Sequence, residues 1–208
     1  NNSASSPWRT LGRAVWGNTT RSSPNSSQAA RAGDTVIVEA GTYGTSTATN
    51  QRHDPIYNPV NSGTSSAPIT IRANGNVYLT ASAGGQPIIG TLNRSYIVWD
   101  GFILNEANIR TTPDTGPLVV WNSHHVTIRN AHIIGQDRNW NDNHVGIRVE
   151  VAHDILISNN RIEGFNDSGM NSACIMTYDV YHSIFEHNEC SNVIAGIFIK
   201  GDHAGDGY

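Results

Sequence analysis

The sequence predicts an all-β fold, a parallel β-solenoid with a repeat of about 28–29 residues and a short N-terminal capping helix. The first observation behind this prediction is a recurring pattern with apolar residues mostly at positions one, three and eight. Copies of the pattern begin at Ile69, Ile97, Val126, Ile155 and Ser183. Successive copies therefore start 28, 29, 29 and 28 residues apart, which is the spacing of stacked turns.

A second set of short strands recurs between the first at a similar period. Its members begin at Ile88, Leu118, Ile147, Ile175 and Ile197. No amphipathic helical pattern lies between the two sets, so no crossover helix is available for a βαβ array. Strands repeated in this way are expected to stack turn on turn at about 4.8 Å.

Asparagines recur in register and support the stacking. Asn130 and Asn159 occupy one position of successive turns, and Asn160 and Asn188 occupy the next position. Asn tolerates the left-handed backbone of a corner, and stacked amides hydrogen-bond along a column. We therefore expect an asparagine ladder.

The predicted organisation has two parts, a cap over residues 1–32 and solenoid turns over 33–208, with a long polar loop at 42–66. The cap is expected to hold a short helix that Thr10 caps and that buries Leu11, Ala14 and Val15. The chain stops just after a strand, so its C-terminal end is expected to be uncapped. Either another molecule or a missing continuation should cover that end, and we expect these residues to be an N-terminal portion of a longer solenoid.

Composition excludes some function classes. The chain has 208 residues and a net charge of -4, without the basic patch that nucleic-acid binding requires. It also has no apolar stretch of the roughly 20 residues needed for membrane insertion. Cys174 and Cys190 could pair or stay free, and two small buried side chains are the simpler interpretation.

Two stretches carry a family resemblance. "GDTVIVEAGTY" (33–43) and "SAPITIRA" (66–73), with "SSPWRTLGRAV" near the start, resemble the opening turns of secreted right-handed parallel β-helix proteins. These proteins form the pectin-lyase-like superfamily, which includes polysaccharide lyases of the alginate lyase and chondroitinase B type. The resemblance implies a right-handed β-helix, secretion and a polysaccharide partner.

Strand alternation places the candidate site on the outer face. One outer column is expected to contain Trp121, Glu150, Tyr178 and Lys200, and its neighbour to contain Val119, Arg148, Met176 and Phe198. Lys200 is the only lysine in the chain. Aromatic rings stack on sugars and cations engage carboxylates, so a shallow groove for a polymer is expected.

The favoured chemistry is β-elimination on a uronic-acid polysaccharide. The predicted catalytic residues are Lys200 as the base, Arg148 as the neutralising cation, and Glu150. The predicted substrate-binding residues are Trp121, Tyr178, Phe198, His203 and Trp140. The alternative for Lys200 is an ordinary surface lysine at a strand end.

Aspartates in the loops before the site strands are candidate ligands for a bound cation. Asp137, Asp142 and Asp167 precede the strands of the site, and oxygen ligands of this kind suit Ca²⁺. Solvated turn residues are the simpler interpretation, because no calcium-loop spacing is present. The histidines His124, His153 and His203 share a column with Tyr181 and are expected to be polar corner residues.

Three other functions stay open at this point. Glu150 with Asp179 or Asp202 would form the carboxylate pair of a glycoside hydrolase. The same face would also serve a non-catalytic carbohydrate-binding module or adhesin. A solenoid with an exposed end would stack end to end with further copies of itself.

Overall fold

The computed structural model describes residues 7–46, 53–82, 87–109, 115–136, 143–167 and 171–201. It is a parallel β-solenoid of about 4 turns, with 58% strand and one short helix at the N-terminus. The fold class predicted from the repeat is confirmed.

One helix and thirteen strands make up the described part of the chain. The helix is α1 (Leu11–Trp16). The strands are β1 (Thr35–Thr45), β2 (Ile69–Ala81), β3 (Ile89–Leu92), β4 (Ser95–Ile109), β5 (Leu118–Arg129), β6 (His132–Ile134), β7 (Val145–His153), β8 (Leu156–Ser158), β9 (Arg161–Glu163), β10 (Ala173–Tyr181), β11 (Ile184–Glu186), β12 (Glu189–Ser191) and β13 (Ala195–Lys200). Within the described residues, no helix is long and apolar enough to cross a membrane.

The strands pair in parallel with the register that the sequence predicts. Ile69 pairs with Ile97, and Ile97 pairs with Val126. In the second set, Leu118 pairs with Ile147 as expected, but its partner in the preceding turn is Ile89 rather than Ile88. The second set therefore begins one residue later than predicted in its first turn.

The core runs along the solenoid axis and is filled by the inward-facing apolar residues of each turn. Helix α1 contributes buried Leu11, Ala14 and Val15 to this core, as predicted. Thr10 lies at the N-cap position, but its side chain makes no capping hydrogen bond. The helix is therefore held by packing of its apolar face and not by the predicted cap.

The asparagine ladder is present in the column of Asn160 and Asn188, whereas the side-chain amide of Asn130 donates to Oδ1 of Asp100 at 2.7 Å. Asn160 donates from its side-chain amide to Oδ1 of Asn188 at 2.9 Å, and its own Oδ1 accepts from the backbone N–H of Ala131 at 2.9 Å. Asn130 and Asn159 both have φ of 56°, the left-handed corner conformation expected of them. The ladder satisfies buried backbone groups where the chain turns.

The polar loop is shorter than predicted. β1 extends to Thr45, so the first residues of the predicted loop pair with β2. Ile56 and Tyr57 lie in the core, and Tyr57 forms a parallel bridge with Ile89. Part of the predicted loop thus folds back onto the solenoid, because it carries apolar residues that gain from burial.

The last described strand has an exposed inner side. Ile197 and Ile199 were expected to face inward, and Ile197 does continue the column of buried Ile175. Both residues are nevertheless exposed, because β13 lies at the end of the strand order in the described part of the chain. An apolar surface is therefore open beside β13.

Cys174 and Cys190 form a disulfide with a Cα–Cα distance of 5.9 Å. The interpretation of two free buried side chains is therefore wrong. The bond joins β10 to β12, which belong to different stacks of strands. It thus links two sides of the solenoid near β13.

We expect replacement of both cysteines by serine (C174S/C190S) to lower the free energy of unfolding by about 3 kcal/mol, because the cross-link restricts the unfolded chain. The separation of 16 residues sets this magnitude. Denaturant titration measures the loss. A reductant should destabilise the wild type by the same amount and leave the double variant unchanged. Equal stability of the oxidised wild type and the variant would contradict this expectation.

Candidate functional site

The outer column of the site has the predicted register. Trp121 pairs with Glu150, Glu150 pairs with Tyr178, and Tyr178 pairs with Lys200. These four residues occupy equivalent positions of successive turns. The neighbouring column is also as predicted, and it contains Val119, Arg148, Met176 and Phe198.

Lys200 lies at the end of β13 and contacts two aromatic rings. Its ammonium group donates a hydrogen bond to the hydroxyl of Tyr178 in the preceding turn. Nζ is 4.6 Å from the centroid of the Tyr178 ring and 5.0 Å from that of Phe198. A cation at these distances is attracted by the ring quadrupole. We call these three residues the lysine cluster, and all three are partly exposed.

Arg148 and Glu150 lie beside the lysine cluster but are buried, with 3% and 2% of their surface exposed. The guanidinium group of Arg148 donates from Nε to Oε1 of Glu150. Its central carbon is 5.4 Å from the Tyr178 ring centroid. The open groove predicted along this face is therefore wrong at these two residues, because both are buried and their side chains pair with each other.

A second apolar cluster is buried on the same strands. Val145, Ala173 and Met176 are fully buried in a cluster separate from the main core, and Ala195 and Phe198 pack against it. Apolar residues on both faces of a strand indicate that both faces are covered. The outer face of β7 and β10 is therefore a second packed layer.

Trp121 is partly covered as well. The ring of His53 stacks on it, with 3.7 Å between the ring centroids and 23° between the planes. Trp121 is thus held in place by a residue from the segment that precedes Tyr57. The stacked face of Trp121 is occupied by a protein ring and not offered to a sugar.

Asp167, predicted as a calcium ligand, contacts a histidine that the sequence analysis did not single out. Nδ1 of His144 and Oδ2 of Asp167 share a hydrogen bond, and Nε2 of His144 lies 2.7 Å from Oε2 of Glu106. All three residues are fully buried. They form a carboxylate–imidazole–carboxylate group, which we call the buried triad.

The buried triad favours a charged imidazole. Burial by itself would lower the pKa of His144, but the hydrogen bonds and negative charges of Glu106 and Asp167 outweigh it and raise that pKa. Complete burial means that a polymer cannot reach the triad in this structure. The triad is therefore suited to holding the loops before β7 and β10 in place.

Histidines line one corner of the solenoid in the predicted column. The rings of His124 and His153 stack with centroids 5.0 Å apart, and Tyr181 stacks on His153 at 5.0 Å. Partial burial, followed by the charges of His153 and His125, lowers the pKa of His124.

Glu163, on β9, pairs with a histidine outside this column. Its hydrogen bond to His132 lowers the pKa of its carboxyl group.

The other predicted site residues, Asp137, Trp140, Asp142 and His203, lie outside the described residues, as does Asp202. Among the described residues, the structure brings together Lys200, Tyr178, Phe198 and the Arg148–Glu150 pair. Trp121 lies three turns away from Lys200 along the same column.

Comparisons with protein-family models, curated proteins and solved structures gave no match to this chain. What the protein does is therefore inferred from its own residues and their geometry.

Proposed function

We propose that the protein binds an acidic polysaccharide at the lysine cluster and cleaves it by β-elimination, with Lys200 as the base. The observation that carries the proposal is the hydrogen bond from Lys200 to the Tyr178 hydroxyl at a partly exposed surface. In this bond the Lys200 nitrogen donates to the Tyr178 oxygen, so the O–H of Tyr178 is left to donate to a substrate oxygen beside it. The resemblance to secreted β-helix lyases supports the same chemistry and an extracellular location.

The surroundings of Lys200 suit a sugar carboxylate. Phe198 and Tyr178 offer aromatic surface for a sugar ring, and the Lys200 cation attracts a carboxylate before the reaction. Arg148 lies behind Tyr178 and adds positive charge, which the adjacent Glu150 partly offsets. The cluster therefore favours a uronic acid over a neutral sugar.

The elimination step balances with the groups present. After the ammonium group of Lys200 has lost a proton to water, its neutral amine takes the proton from the ring carbon that carries the sugar carboxylate, and the C–H electrons form the new double bond. The bond between the next ring carbon and the glycosidic oxygen breaks, and that leaving oxygen takes the Tyr178 hydroxyl proton. The Lys200–Tyr178 hydrogen bond then returns a proton from the ammonium group to the phenolate.

Hydrolysis by a carboxylate pair receives less support. Glu150 is buried and accepts a hydrogen bond from Arg148, so it does not face a glycosidic oxygen. A retaining or inverting hydrolase needs two carboxyl groups on either side of the scissile bond. The lysine cluster contains no carboxylate among its three members.

Incubation of the protein with pectate, alginate and glycosaminoglycans tests the proposal. Elimination should produce an ultraviolet-absorbing double bond on at least one of these polymers. Parallel reactions with calcium and with a chelator test the predicted Ca²⁺ dependence, which we retain as part of the proposal. Tight polymer binding with no unsaturated product would favour a carbohydrate-binding module instead.

A second function, end-to-end association, is favoured by the apolar surface beside β13. In the described part of the chain, Ile197 and Ile199 are exposed, and apolar side chains of this kind suit burial against a second copy of the chain. Sedimentation at increasing concentration tests this. We expect self-association in the wild type and its loss in the Ile199→Lys variant, and a monomer at all concentrations would contradict it.

A further inference from the structure

Two adjacent columns of polar rings and acids form one corner of the solenoid. β5 and β7 pair His124 with His153, and β7 and β10 pair His153 with Tyr181. The residue after each of these has a left-handed backbone: φ is 53° at His125, 55° at Asp154 and 49° at His182. Each turn thus presents two neighbouring side chains at this corner.

The left-handed conformation brings the two columns together. His125 and Asp154 occupy the same corner position in successive turns, so their side chains emerge one strand spacing apart. His153 precedes Asp154 and lies in the adjacent column. Residues from two turns therefore converge on one point outside the corner.

Three ligand atoms meet at that point. One side-chain ligand atom from each of His125, His153 and Asp154 lies within 4.8 Å of the others. Nδ1 of His153 is 2.7 Å from Oδ2 of Asp154, and Nδ1 of His125 is 3.8 Å from the same oxygen. Distances of this size are close to those between the ligands of one metal ion with bonds of about 2.0–2.2 Å.

We propose that His125, His153 and Asp154 bind a divalent transition-metal ion of the Zn²⁺ class. Two imidazoles and one carboxylate are the donors that Zn²⁺, Cu²⁺ and Ni²⁺ prefer, whereas Ca²⁺ requires an all-oxygen set. Three protein ligands leave at least one coordination position for water or another ligand. This site is distinct in residues and chemistry from the predicted calcium ligands, and it does not depend on the lysine cluster.

The surroundings of the site permit metal entry. The side chains of His125, Asp154 and His153 are 44%, 37% and 34% exposed. Small rotations of such side chains close the remaining gaps without disturbing the core. The hydrogen bond between Nδ1 of His153 and Oδ2 of Asp154 occupies the place of the metal, so binding requires that nitrogen without its proton.

Neighbouring groups hold the ligands in position. His153 is stacked between the rings of His124 and Tyr181, which fixes its plane. Nδ1 of His125 lies 2.9 Å from Nδ1 of His124, so this hydrogen bond breaks when His125 turns that nitrogen to the metal. Because the ligands come from two turns, the metal would join those turns at their corner.

Calorimetric titration with Zn²⁺ tests the proposal. We expect one Zn²⁺ per wild-type chain, and a loss of affinity of at least about 10-fold in Asp154→Asn and in His153→Gln. Ca²⁺ in excess should not compete. His187→Gln is the matched control, because His187 is also a left-handed corner histidine near an acid, with Nδ1 4.0 Å from Oε2 of Glu186, and should bind Zn²⁺ like the wild type.

Electron paramagnetic resonance with Cu²⁺ counts the nitrogen ligands independently of affinity. We expect two imidazole nitrogens in the wild type and one in the His125→Gln variant, with circular dichroism showing that the variant is folded. Equal Zn²⁺ affinity in the wild type, Asp154→Asn and His153→Gln would overturn the proposal. A Cu²⁺ spectrum without imidazole nitrogens would overturn it too.

Discussion

Lys200→Met is expected to slow β-elimination by about 10²–10⁴-fold, the usual contribution of a positioned general base. Methionine keeps an unbranched apolar chain, one atom shorter than lysine, that can still pack on the Phe198 and Tyr178 rings but has no basic nitrogen. Polymer binding should weaken less than turnover, because the aromatic surface is retained. Initial rates of unsaturated-product formation and a separate binding titration measure the two effects.

The matched control for this variant is Arg161→Met. Arg161 is an exposed cation on β9, in another stack of strands, and pairs with Glu163 at 3.1 Å. Its loss removes one positive charge without touching the lysine cluster, so turnover should stay at the wild-type level. Wild-type turnover in a folded Lys200→Met protein would show that Lys200 is not the base.

His144→Ala is expected to destabilise the fold by about 3–5 kcal/mol, because it leaves Glu106 and Asp167 buried without their cationic partner. His132→Ala is the matched control. Its Nε2 lies 2.7 Å from Oε1 of Glu163, the same distance as between Nε2 of His144 and Oε2 of Glu106, but its pair is partly exposed. Removing an exposed pair should cost no more than about 1 kcal/mol. Denaturant titration measures both losses, and equal losses would contradict the role given to burial.

The stability of the wild type should also depend on pH through His144. The raised pKa means that the folded state holds the proton more tightly than the unfolded state, whose histidine has the ordinary value of 6.5. This contribution is fully present below pH 6.5 and is lost as the pH rises through the folded pKa. The His144→Gln variant should lack this part of the pH profile, and an unchanged profile would show that His144 does not carry it.

The register of the turns could be predicted because apolar residues recur at fixed positions of each repeat. A slip of one residue would move every inward side chain to the outer face, so Ile97 and Val126 can pair in only one way. The same constraint fixed the outer column from Trp121 to Lys200. At Ile88 it was weaker, because both Ile88 and Ile89 are apolar, and there the predicted register was wrong by one residue.

The burial of Arg148 and Glu150 was not predicted, because strict alternation was applied to strands that are covered on both faces. A signal was available in the sequence. The stretches "PLVVW" (117–121) and "ACIM" (173–176) are continuous apolar runs, which are typical of strands buried on both sides. Treating these two stretches as strands buried on both sides would have predicted that the outer face is covered.

The buried triad had no comparable signal. His144 is 38 residues from Glu106 and 23 residues from Asp167, and none of these spacings matches the repeat. Glu106 lies near the end of β4, whereas His144 and Asp167 lie outside the named strands, where periodicity gives no register. The His125–Asp154 contact was missed for a different reason: the sequence pattern aligned His124 with His153 but did not include the residue that follows each of them.

Digestion of a uronic-acid polymer in heavy-oxygen water, followed by mass spectrometry of the fragments, tests the proposed chemistry most directly. Elimination breaks the glycosidic bond without adding water, so each cleavage should give an unsaturated end and incorporate no heavy oxygen during the cleavage itself. Short digestion times keep later exchange at the new reducing ends small. Fragments that carry heavy oxygen from the cleavage and have no double bond would show hydrolysis, and would contradict the role assigned to Lys200.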